Sequence, residues 1–138
     1  MNLFKSLRSF YLNEQPNFTP PEVFDKVVTN NKNLPLLTYK IDVFCLGMIV
    51  VVIMVGNKVI ERVYDLQKKK FDQFGFETLC DELDLKYKEP SLQRLLWIFL
   101  RKYILRFNPS ERLSPCQAIE KFKIYKQLKN TLGKTQKN

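Results

Sequence analysis

The chain has 138 residues, 45% of them hydrophobic and 13% aromatic, with 23 lysines and arginines against 14 acidic residues. That suits one domain or part of one, with enough apolar content for a core, and it excludes wholesale intrinsic disorder. There is no histidine, and Cys45, Cys80 and Cys116 form no Cys-x-x-Cys pair, which excludes nucleophile–histidine catalysis and argues against a zinc site.

An odd number of scattered cysteines points to a reducing, intracellular and cytoplasmic setting. The net charge of +9 permits attraction to nucleic acid, anionic membrane or acidic protein without selecting one. At the N-terminus, MNLFKSLRSFYLNEQ has basic residues but no apolar stretch of the length a secretory signal needs. Its aromatic residues are scattered among polar ones, and residues 1–19 read as irregular.

TPPEVFDKVV at 19–28 reads as a short helix, with proline at its start and Glu22 in its first turn. A polar loop, TNNKNLP, follows at 29–35. The run from Val43 to Val55 is thirteen residues without a charge. As a helix it reaches about 20 Å, short of the roughly 30 Å hydrocarbon core of a bilayer. Lys40 and Asp42 close one end and Asn57-Lys58 the other. Residues 40–55 therefore read as a core helix, apolar on every face and so enclosed by protein on all sides, with Gly56-Asn57 ending it. A buried strand is the alternative, disfavoured by length.

Residues 58–73 can form an amphipathic helix with Val59, Val63 and Leu66 on one face and Lys68-Lys69-Lys70 near its end. Residues 74–90 suggest a short helix and a loop. SLQRLLWIFLRKYI at 91–104 is a clear helix capped by Ser91, with an apolar face repeating at three and four. SPCQAIEKFKIYKQL at 114–128 is another, with Ser114 and Gln117 as a capping box and Pro115 at the first helical position. Ala118, Ile119, Phe122 and Tyr125 are expected to face the core, and Lys121, Lys123 and Lys126 to face water. The tail from 129 to 138 is basic and expected to fray. No repeat, Gly-rich phosphate loop or convincing strand is visible.

Three pieces in a fixed order carry a resemblance. Thr19-Pro20-Pro21-Glu22 resembles the Ala-Pro-Glu motif of eukaryotic protein kinases of the serine/threonine type. Asp42-Val43-Phe44-Cys45-Leu46-Gly47 resembles their Asp-Val-Trp-Ser-Leu-Gly helix start, with Phe for Trp and Cys for Ser. Asn108-Pro109-Ser110-Glu111-Arg112-Leu113-Ser114 resembles their Asp-Pro-x-x-Arg-Leu-Thr loop, followed by Gln117-Ala118-Ile119 for Glu-Ala-Leu. The resemblance implies an all-α, kinase-like C-terminal lobe over 14–128, part of an α+β parent fold, its helices packed around the buried axis at 40–55. Residues 1–13 would be irregular or a remnant of the activation segment.

The resemblance also implies roles. Glu22 would pair with Arg112 in a buried ion pair. Asp42 would accept backbone N–H bonds from a catalytic loop, and Gly47 belongs to the structural set of the same motif. Gln15, Pro16, Phe18 and Thr19 stand in the substrate loop, with Gln15 where the family has a threonine. The family's activity is ATP- and Mg-dependent phosphorylation of protein serine and threonine, but its ATP-binding, His-Arg-Asp and Asp-Phe-Gly motifs lie upstream of Ala-Pro-Glu. Only twenty-one residues precede Glu22, none of them aspartate. No catalytic, nucleotide-binding or metal-binding residue is therefore expected on this chain, which reads as a partial kinase domain or as a degenerate pseudokinase serving as an interaction module. A protein partner could dock on the helices after the central one, where Phe71, Phe74, Phe76 and Tyr87 are either docking aromatics or satellite core. The six lysines between 121 and 137 read as a solvated face rather than a nucleic-acid site.

Overall fold

The computed structural model describes residues 18–28, 39–65, 67–68 and 70–135. Among them the chain is mostly helical, with one small two-stranded sheet. Helix α1 is Pro21–Val28 and α2 is Tyr39–Val55. Helix α3, Lys58–Val63, leads into a hairpin of β1, Tyr64–Asp65, and β2, Lys70–Phe71. Helix α4 is Gln73–Lys86 and α5 is Leu92–Phe99, continued by a π-helical turn at Leu100–Ile104. A 3-10 turn at Pro109–Glu111 precedes α6, Pro115–Thr135.

The apolar run at 43–55 lies in α2, which is central to the core. Phe44, Met48 and Val51 are almost wholly buried. Gly56, at φ 91°, ends the helix in the left-handed region and donates its N–H to the Val52 carbonyl at 2.8 Å, as a C-terminal glycine does. The expectation that α2 is enclosed on all sides fails. Leu46 is 62% exposed and Ile53 77%, and Ile49 is exposed beside them. Uniform hydrophobicity gives no preferred face, so the sequence could not say that one side lacks cover. No helix among the described residues is long and apolar enough to cross a membrane.

The amphipathic helix expected over 58–73 is also corrected. It stops at Val63, because Tyr64 and Phe71 gain more from pairing across a hairpin than from continuing the turn. Tyr64 stands opposite Phe71, and Asp65 opposite Lys70. The Tyr64 ring meets Phe24 edge-on at 5.1 Å and Phe71 at 5.4 Å, and Phe71 lies 5.5 Å from Phe76, spacings favourable for aromatic pairs. The Tyr64 hydroxyl donates to the Thr19 carbonyl at 2.7 Å. Asp72 then caps α4, accepting from the Gly75 N–H at 2.9 Å.

The two helices read most clearly are capped as expected. The Ser91 hydroxyl accepts from the Arg94 N–H. Ser114 and Gln117 bond each other reciprocally at 3.0 and 3.3 Å. Helix α6 continues past 128 to Thr135, into the segment expected to fray. Ala118 and Tyr125 pack against the core, whereas Ile119 and Phe122, expected inside, are exposed. The π turn closes with the Leu105 N–H donating to the Leu100 carbonyl at 2.7 Å.

Candidate functional site

Arg112 is the one charged side chain in the buried core set of the described residues. Its guanidinium has five N–H donors, and five contacts surround it. Nε donates to the Arg106 carbonyl at 2.8 Å. One terminal nitrogen donates to Glu22 Oε1 at 2.6 Å and to the Lys40 carbonyl at 3.3 Å. The other donates to Glu22 Oε2 at 2.9 Å and to the Phe107 carbonyl at 3.2 Å. The plane also sits over the Phe44 ring, 4.6 Å from its centre, a cation–π contact. Only arginine offers this planar fork.

Each partner reaches Arg112 for a local reason. Pro20 and Pro21 are buried and start α1, and the Pro20 carbonyl accepts from Val23 and Phe24. This aims Glu22, in the first turn, inward. Asn108 folds the 3-10 turn by accepting from the Ser110 N–H and hydroxyl, which delivers Arg112 back toward α2. Phe44 stands where the resembled motif has tryptophan and supplies the stacking face.

Gly47 lies one turn along α2. A Cβ there would meet Ile104 Cγ2 and Leu105 Cδ2, each at 2.8 Å. The missing side chain is what lets the π turn rest on α2. Asp42 is exposed on the first turn of α2, and none of the Arg112 hydrogen bonds goes to it. Phe18 packs against the core and Thr19 is buried. Gln15 and Pro16 lie outside the described residues. Thus Glu22, Arg112 and the Asp42–Gly47 segment are brought to one end of the core, while Asp42 itself does not join the buried cluster. Of the proposed docking aromatics, Phe71 and Phe76 are buried in the core, Tyr87 packs beside it, and only Phe74 is exposed, at 78%.

A second polar cluster was not foreseen. The Trp97 indole N–H donates to Asp84 Oδ1 at 2.8 Å. Arg101 bridges Asp84 and Asp81 and borders a cleft of about 490 Å³ with Cys80, Arg106 and Glu111. Arg106 pairs with Glu111 at 2.8 Å, so the cleft's cations are already neutralised by neighbours. The signal was available only as separate charges on three elements. Burial pushes the Cys80 thiol up to about 11 and the Cys45 thiol up to about 11, so both stay protonated and poorly nucleophilic. Burial likewise raises the Tyr64 hydroxyl well above its ordinary value. Among the described residues no cluster of three or more cysteine, aspartate or glutamate side chains could hold a metal ion. The arrangement around Arg112 is suited to fixing geometry, since its donors are occupied by protein acceptors.

No family model matches the chain, and neither a curated protein nor a solved structure shows significant similarity to it.

Proposed function

We propose that the chain is a protein-kinase-like C-terminal lobe that acts as a scaffold, with no nucleotide chemistry among its own residues. One observation carries this reading. Arg112 grips Glu22, 90 positions earlier, with a two-pronged pair while lying over Phe44. Three motifs noted separately in the sequence converge at one point, and a buried pair of this kind is what the resemblance implies. Gly47 supports the reading through its close packing against the turn at 100–105.

Phosphoryl transfer relies on positioning and electrostatic stabilisation by a phosphate-binding loop, a lysine, magnesium-binding carboxylates and a base. The chain carries none of the motifs that supply these groups. Any ATP-dependent activity would have to draw them from another polypeptide segment. Isothermal titration calorimetry of the chain with Mg-ATP is expected to give no saturable heat. One-site Mg-ATP binding would overturn the scaffold reading. A double-mutant cycle on Glu22 and Arg112 that gives no coupling energy would overturn the lobe assignment.

A further inference from the structure

Helices α2 and α6 face each other across an apolar groove of about 560 Å³. One wall is Leu46 and Val50 of α2, and the other is Ile119 and Phe122 of α6, with Leu96 and Leu100 in the floor. Residues 46 and 50, and residues 119, 122, 123 and 126, follow helical spacing, so each wall is a single helix stripe. Leu46 and Ile119 are 62% and 58% exposed. Two facing apolar stripes of this kind match the way a groove receives an amphipathic helix through anchors at i, i+3, i+4 and i+7.

The charge around the groove selects the occupant. Lys123 and Lys126 line the α6 side, and the one carboxylate in the lining, Asp42, stands on the opposite wall at the first turn of α2, so the cationic rim is the α6 side. Lys126 has no carboxylate partner among the described residues, and Lys123 reaches only Glu120, at 3.4 Å on the open surface. Along its whole length α6 carries five lysines and one acidic residue, Glu120. A second copy of the chain would bring another net charge of +9. The chain's own segments outside the described residues are also cationic, with Lys5 and Arg8 against Glu14 in 1–17 and Lys32 alone in 29–38. All of these are disfavoured on the lysine rim.

We infer that the α2–α6 groove is a docking site for an amphipathic helix of a partner protein, apolar on one stripe and acidic along its flank. This goes beyond the scaffold reading and holds whether or not the chain is kinase-like. Apolar anchors enter between Leu46 and Ile119, and the acidic flank lies against Lys123 and Lys126.

The test uses the full chain and a displayed library of helical 16-residue peptides. Apolar residues are fixed at i, i+3, i+4 and i+7, and the remaining positions are randomised. Selection runs in parallel on a Leu46→Gln/Ile119→Gln variant, whose changes fall on exposed positions and whose fold is checked by circular dichroism. Groove-dependent peptides with aspartate and glutamate enriched over lysine and arginine are expected. Fluorescence anisotropy of one such peptide should then show about tenfold weaker binding to Lys123→Glu/Lys126→Glu, and weakening as salt rises, since rim charges act through screened attraction. Failure to recover groove-dependent peptides, or recovery of neutral or basic ones, overturns the inference. So does a concentration-dependent dimer of the free chain, in sedimentation velocity, that the Leu46→Gln/Ile119→Gln change abolishes.

Discussion

Replacing Arg112 with methionine should be among the most damaging single changes available in this chain. The guanidinium is fully buried, and the Glu22 side chain is only 17% exposed. Arg112→Met removes both prongs from Glu22 and strips donors from the carbonyls of Lys40, Arg106 and Phe107. Methionine keeps much of the volume over Phe44, so little of the loss comes from a cavity. The dominant cost is a nearly desolvated carboxylate without its cation, about 3–5 kcal/mol. That is a large share of the roughly 5–15 kcal/mol that holds a domain folded.

Urea denaturation measures the loss directly. Trp97, the only tryptophan in the chain, is 1% exposed and reports core unfolding through its fluorescence. The double replacement Glu22→Leu/Arg112→Met should recover at least half of the loss, because removing both charges leaves nothing unpaired. Arg112→Lys should fall between the single methionine change and the native chain, since it keeps the charge but not the fork. A loss below about 1 kcal/mol for Arg112→Met, the range of a solvated pair, would refute the reasoning. So would a double variant no more stable than the single one.

Two glycines give steric tests. A Cβ on Gly75 would clash with the backbone carbonyl of Arg62, so Gly75→Ala has to displace main chain where α3 meets α4, and a loss of about 2 kcal/mol or more is expected by thermal denaturation. At Gly47 the clash is with side chains of Ile104 and Leu105, and Gly47→Ala should cost about 1–3 kcal/mol of overpacking, partly offset by about 1 kcal/mol of helix propensity. Thiol labelling should separate the cysteines. Iodoacetamide at pH 8 should modify exposed Cys116 first, while Cys45 and Cys80, held near 11, present roughly a hundredfold less thiolate than an ordinary cysteine; equal rates by mass spectrometry would contradict their burial. The same shift sets a pH dependence. The folded pKa of Cys80 lies above its ordinary 9.0, so the associated stability is complete below pH 9 and drains away as pH rises from 9 through about 11. Urea midpoints measured at pH 8 and pH 10.5 should therefore fall less in Cys80→Ala than in the native chain.

What the sequence settled by itself was local. Ser91, Ser114, Gln117 and Gly56 act within a few residues of their own positions, where capping geometry follows from residue type and offset, and each cap is in place. The length and charge boundaries of the 43–55 run likewise sufficed to make it a helix. The pairing of Glu22 with Arg112 was expected only through a resemblance of three short motifs to a known family, and the two side chains do meet. Tertiary structure decided the rest. Tyr64 and Phe71 left a helical pattern for a hairpin because their rings and the Tyr64 hydroxyl find partners on Phe24, Phe76 and Thr19, all distant in the chain except Phe76. Ile119 and Phe122 were read as core because helical spacing identifies an apolar stripe but not what lies opposite it. The uniformly apolar α2 carried no sequence signal for its bare side. Which face of a helix is covered depends on the neighbours that arrive there, and here the neighbours leave a groove between α2 and α6.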